Sequence, residues 1–221
     1  MKKQGVPWSR MLLTDSSKIL VLSPHIDDGI FGCGGTIARL AEFEDVSITY
    51  LVFAPRSPEY EHVVLRSELL HAIKILGLSA DSIEFLDFET RKFPENRQRL
   101  TDALYRIKGE SDICTIFTPS RFDVHQDHQT VTDELLRVYK RISTSIFGYE
   151  IVLNTYSFDT AVFCGFEEKH LKAKLRAFDC FESQMSRVHL SRQLFESSAR
   201  VRGAQMGTEF AEAFEAIRVV I

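Results

Sequence analysis

Two short stretches of this chain carry enough ionisable side chains, closely enough spaced, to do chemistry. His25, Asp27 and Asp28 fall within four residues, and about a hundred positions later His125, Asp127 and His128 do the same. An imidazole and a carboxylate three apart on one loop, as His25 and Asp28 are, can converge on a single cation, and that donor pair suits zinc. If the second loop meets the first, His128 supplies a third donor, and a fourth position left open makes the site catalytic rather than structural.

The chemistry such a set supports is metal-assisted cleavage of an amide. An ion held by His25, Asp28 and His128 acidifies water and polarises a carbonyl. Asp27, next to the donor pair but pointing elsewhere, is the candidate base that takes the water proton and later hands one to the leaving amine. His125, one helical turn before His128, is placed to stabilise the oxyanion, with Asp127 or Asp123 fixing its ring through the other nitrogen. Plainer readings compete. Asp28 could cap the following helix while keeping one oxygen for a metal, and His125 could be a surface loop residue. His62 and His71 fall on a helical pattern and His170 and His189 in polar surroundings, so these four read as solvated.

The elements around both trios must bring them together. Each trio follows an apolar run, Lys18 to Leu22 in one case and Ile113 to Thr118 in the other. Loops that follow neighbouring parallel strands share the crevice in which open α/β folds bind ligands. From Lys18 the pattern alternates. It runs strand 18–23, helix 29–42, strand 46–53, helix 58–76 stopped by Gly77, strand 83–88, helix 96–108, strand 112–119, helix 125–139 and strand 145–153. One more extended segment is expected within 154–166, then helices over 167–183 and 191–205 ending near Gly207. Alternation of this kind specifies an α/β fold with a mostly parallel sheet, right-handed crossovers and helices on both faces. Residues 1–16 read as an arm on a single domain spanning 1–221, with Trp8 and Leu12 packing back. Gly32, Gly34 and Gly35 superficially match a dinucleotide loop. However, the third glycine of that pattern falls at Ile37, and the next strand ends at Phe53, Ala54 and Pro55 without an acid. Close packing of helix on strand, or backbone approach to the metal loop, explains these glycines better.

Composition narrows the partners. The 221 residues, 44% of them hydrophobic, can bury a sizeable core. With 27 basic against 31 acidic residues and a net charge of −4, a broad nucleic-acid face is not expected. The partner is then a small or medium-sized substrate. Four cysteines without a CxxC pair read as reduced thiols rather than a disulfide framework. The N-terminal apolar stretch is broken by Pro7, Ser9, Arg10 and Asp15, and no run reaches the roughly 18 to 20 apolar residues of a membrane span. The expectation is a soluble, cytoplasmic protein without membrane insertion, its state of homo-oligomerisation open.

The motifs SPHIDDGIFGCGGT and DVHQDH together resemble the LmbE-like or PIG-L N-acetylglucosaminyl deacetylases, whose first motif is commonly written PHPDDE and whose second is an HPDH or HQDH box. The similarity continues through RSELLHAIKILGL, GYE, KAKLRAFDCFESQ and RGAQMGTEFAEAF, nearly the whole chain from Lys18. It implies a Rossmann-like three-layer sandwich, with Zn2+, or in some members Fe2+, held by His25, Asp28 and His128. It further implies Asp27 as general base, His125 as the transition-state histidine with Asp127 beside it, and removal of acetyl from an N-acetylglucosamine unit. Arg66 is the match for an arginine that contacts substrate in some members. Three positions depart from the pattern. Ile26 replaces the second proline, Gly29 replaces the closing Glu and removes a carboxylate near the metal loop, and Thr90 stands where the family has an acid after the third strand. Two other functions stay open: an amidase acting on another amino-sugar conjugate, and a nucleotide- or S-adenosylmethionine-binding α/β protein.

Overall fold

The computed structural model describes residues 17–55, 62–110, 112–184 and 190–220. The expected arm over 1–16, the first turn of the expected helix at 58–61 and His189 lie outside the described residues. The first strand, β1 (Ser17–His25), is buried over most of its length, which is why its sequence is a near-continuous apolar run rather than an alternation. Its side chains still divide by parity. Ile19 and Val21 enter the core on one face, and Leu20 and Leu22 enter the core on the other.

Six further strands, β2 (Val46–Ala54), β3 (Ile83–Phe85), β4 (Thr115–Pro119), β5 (Ser145–Tyr149), β6 (Val162–Phe166) and β7 (Phe210–Arg218), complete one sheet in the order β3-β2-β1-β4-β5-β7-β6. Pairing is parallel from β3 through β5, and β7 runs antiparallel between β5 and β6. Four helices, α1 (Asp28–Leu40), α2 (His62–Ile75), α5 (Glu168–Asp179) and α6 (Arg192–Met206), cover one face through Ile30, Leu69, Leu171 and Phe195. The other face is covered by α3 (Arg97–Glu110) and α4 (Gln126–Val138) through Leu100, Leu104, Val131 and Leu135. This is the expected Rossmann-like three-layer sandwich with a mostly parallel sheet.

Three expected strands prove shorter, 83–88 contracting to Ile83–Phe85, 112–119 to Thr115–Pro119 and 145–153 to Ser145–Tyr149. The segment after Gly207, for which no strand was expected, forms β7. All four cysteines are free thiols, Cys33 and Cys164 buried and Cys114 and Cys180 half-buried. No helix among the described residues is long and apolar enough to cross a membrane. For function the decisive feature is the sheet order. The chain leaves β1 for β2 and β3 on one side and returns to the opposite side of β1 for β4, so the reversal, and the crevice that opens there, lies between β1 and β4.

Candidate metal centre

Both trios sit at that reversal. His25 is the last residue of β1, Asp27 is the N-cap of α1 and makes no capping hydrogen bond with its side chain, and Asp28 opens the helix. After β4 the chain turns through Ser120 to Val124, and His125 caps α4 by accepting the Asp127 N–H on Nδ1 at 3.2 Å. His128 lies in the first turn of α4.

Three donor atoms converge. His25 Nδ1 lies 3.0 Å from Asp28 Oδ2, His128 Nε2 lies 3.1 Å from the same oxygen, and the two nitrogens are 3.3 Å apart. A tetrahedral ion with bonds of about 2.0–2.1 Å spaces its donors about 3.3 Å apart, so the triangle has the size of one face of a zinc-like coordination shell. The outer ring nitrogens point to buried carboxylates: His25 Nε2 is 3.1 Å from Asp127 Oδ2 and His128 Nδ1 is 2.7 Å from Asp123 Oδ2. Such partners take the ring proton on the outer side and leave the inner lone pairs for a cation. The donor set therefore fits a divalent metal. The carboxylates go to the two rings of the triangle and not, as the sequence suggested, to His125, whose Nδ1 is held by a backbone amide. His125 itself is close enough to belong to a three-histidine cluster, its donor atom within 4.8 Å of those of His25 and His128.

Electrostatics separate the three rings. Burial pushes His25 down, but the Asp28 charge and hydrogen bonds to Asp127 and Asp28 outweigh it and raise its pKa to about 9. His128 is likewise opposed by burial yet raised to about 10 by Asp28 and Asp123. Asp28, also opposed by burial, is held well below the usual carboxylate range by His128 and His25. His125 goes the other way. Burial, reinforced by the His128 and His25 charges, lowers it to about 4, leaving it neutral at pH 7 with its proton on Nε2.

The loops are fixed from below by residues that spacing alone did not expose. Ser23 Oγ donates to His25 O at 2.5 Å and accepts the Gly29 N–H at 3.0 Å. The Tyr50 hydroxyl lies 2.9 Å from Ser23 Oγ and donates to Ile26 O at 3.3 Å. Gly29 is required here, because a Cβ would stand 2.8 Å from the Tyr50 ring and hydroxyl. On the second loop, Glu215 of β7 accepts from Ser120 Oγ and the Arg121 N–H, both at 2.9 Å, and from Arg121 Nε at 2.5 Å. Asp127 accepts the N–H groups of Arg91 at 2.6 Å and Phe93 at 3.3 Å. Arg91 adopts a left-handed φ of 67° to make that contact. A conformation of that kind costs a non-glycine residue about 1–2 kcal/mol, and such strain collects at functional sites.

Helix α1 is broken at Cys33, whose φ of −142° and ψ of 25° are not helical. Lys174 Nζ donates to the freed Phe31 carbonyl at 2.7 Å and pairs with Glu212 Oε1 at 2.6 Å. Glu212 in turn accepts the Gly35 and Thr36 N–H groups at 3.0 and 2.8 Å and the Thr36 hydroxyl at 2.7 Å. One buried ion pair thus caps both halves of the interrupted helix. The glycines beside the break allow close packing, as expected. A Cβ on Gly32 would lie 2.2 Å from the Tyr149 ring and one on Gly35 2.6 Å from Phe166.

Arg66 stands apart from the triangle, with its guanidinium carbon 3.9 Å over the Phe85 ring of edge strand β3. His170, expected to be solvated, is buried. Its Nδ1 accepts the Glu167 N–H at 3.1 Å in a capping box, which satisfies the start of α5.

The family model PIG-L, described as GlcNAc-PI de-N-acetylase, matches residues 20–139. The chain is 30% identical over 173 residues to a protein of Escherichia coli (strain K12) described as uncharacterized deacetylase YaiS, covering 75% of this chain and 92% of that one. Among solved structures it resembles the zinc-inhibited form of teicoplanin deacetylase Orf2, with a TM-score of 0.73, 14% identity and coverage of 90% and 97%. It also resembles N,N'-diacetylchitobiose deacetylase from Pyrococcus horikoshii, with a TM-score of 0.70, 18% identity and coverage of 95% and 85%. At these identities the two structures show the fold alone.

Proposed function

Because this chain belongs to the PIG-L family of deacetylases, we propose that it is a metal-dependent hydrolase that removes the acetyl group from an N-acetylglucosamine-type amide. The observation that carries this reading is the His25–Asp28–His128 triangle with its outer nitrogens on Asp127 and Asp123. A Zn2+ ion bound there by His25, Asp28 and His128, or Fe2+ in its place, would supply Lewis acidity and acidify water at neutral pH. Asp27, buried at the start of α1 beside the triangle, takes the proton of the attacking water and returns one to the amine as the C–N bond breaks. His125, neutral with its Nε2–H, donates to the developing oxyanion. Asp127 acts through His25 by holding that ring, and Arg66 is the candidate contact to the sugar. Water adds across the amide, and the products are acetate and a free amino sugar.

The test is metal analysis of protein purified without chelator, followed by acetate release from a panel of N-acetylglucosamine conjugates with Zn2+ or Fe2+ added. Asp27→Asn is expected to lower kcat by about 100-fold or more, in line with the loss of a general base. Equal acetate release by wild type and Asp27→Asn rejects the base assignment. Identifying the released acid by mass spectrometry distinguishes deacetylation from cleavage of another amide.

A further inference from the structure

Tyr50 is fully buried on β2, the strand beside β1, and takes no part in binding an ion. Its hydroxyl nevertheless ends inside the loop that carries three of the proposed functional side chains. Between them Tyr50 and Ser23 grip that loop at three backbone groups: the carbonyls of His25 and Ile26 and the amide of Gly29. The two carbonyls belong to the successive peptides on either side of Ile26, the second of which leads into Asp27, so their orientation sets the direction in which Asp27 and Asp28 leave the strand. The arrangement is also tight. Any side chain at position 29 would be driven into the phenol, so Gly29 and Tyr50 fit only as a pair. Burial, with the Asp28 and Asp27 charges nearby, raises the Tyr50 pKa well above its ordinary value, so the group stays a hydroxyl donor.

We propose that Tyr50, together with Ser23 and through the backbone of His25 to Gly29, is a positioning residue that sets Asp27 and the two first-loop donors against His128. This rests on the hydrolase reading for its effect on turnover, but its effect on metal geometry stands independently. A phenol that only filled space would be replaced without loss by a phenyl ring.

The experiment compares Tyr50→Phe with wild type, and Ser23→Ala serves as a second variant that removes the serine's hold on His25 and Gly29 and leaves the ring untouched. Co2+ is titrated into metal-stripped protein and the affinity and visible absorption spectrum are read. Then kcat and KM are measured at saturating metal. Tyr50→Phe is expected to bind Co2+ about 3- to 10-fold more weakly with an altered spectrum, and to lose about 10-fold in kcat with KM within 2-fold. In an Asp27→Asn background the same substitution should lower kcat little further, because the hydroxyl acts through Asp27. An unchanged Co2+ spectrum and affinity in Tyr50→Phe overturns the proposal, whether or not the protein turns over any substrate, and an unchanged Ser23→Ala removes the serine from it. Equal losses in the wild-type and Asp27→Asn backgrounds overturn the route through Asp27. A wild type that binds Co2+ normally but releases no acetate defeats the hydrolase reading and leaves the spectroscopic result to decide the role of Tyr50.

Discussion

Asp123 and Asp127 divide between them the task of holding two imidazoles, and their loss should be felt through the metal. Each is completely buried and accepts backbone amides as well as a ring nitrogen, so an amide side chain can keep the shape while losing the charge. Asp123→Asn and Asp127→Asn are each expected to weaken Zn2+ binding by about 10- to 100-fold, as substitutions behind metal-bound histidines do. Competition against a chelating dye measures this, and undiminished affinity in both variants would remove the assignment. At this scale the spacing of His25, Asp28, His125 and His128 was readable from the chain. Which acid serves which ring was not. Asp123 Oδ1 takes the His125 N–H at 2.8 Å, which turns Oδ2 toward His128, and that depends on the path of the Ser120–Val124 turn. Ser23 and Tyr50 were invisible for a similar reason, since register between β1 and β2 brings them together.

Among the elements, α1 depends most on distant help. In an unbroken helix the Gly35 N–H would bond to Phe31 O; here Glu212 and Lys174 take those two groups. Both side chains are about 6% exposed, so neither charge is stable without the other. Lys174→Met should destabilise the protein by about 3–5 kcal/mol, the usual consequence of stranding one buried charge, with urea unfolding as the measurement. A loss below 1 kcal/mol would show that the pair does not hold the break. The pair could not be anticipated, because its strand was not. FAEAFEAIR is rich in Ala and Glu, strong helix formers, and adopts β7 because tertiary pairing with β5 and β6 overrides local preference. Two glutamates among apolar neighbours were the available hint, since buried acids need partners. The parallel strands were legible because burial on both faces makes them long apolar runs.

For the molecule as a whole, the raised pKa values of His25 and His128 tie stability to pH. An unfolded chain titrates its histidines near 6.5, whereas these two sit at about 9 and about 10. In metal-stripped protein their contribution is therefore complete below about pH 6.5 and is lost as pH rises through 9 and 10. A metal needs the same nitrogens without protons, so its affinity runs in the opposite direction. Thermal scans from pH 6.5 to 9 should show the stripped protein melting progressively lower while the gain on adding Zn2+ grows. A gain independent of pH would show that these imidazoles are not the groups displaced. The whole fold followed from the alternation of elements, apart from the one antiparallel strand, and that strand has a consequence for biogenesis. Glu212 and Glu215 both belong to β7, and through them it secures α1 behind the first loop and Ser120–Arg121 ahead of the second. On the ribosome every proposed metal ligand emerges long before Glu212 and Glu215, so a nascent chain would display its donors and their local braces yet have both loops secured only once β7 has been inserted.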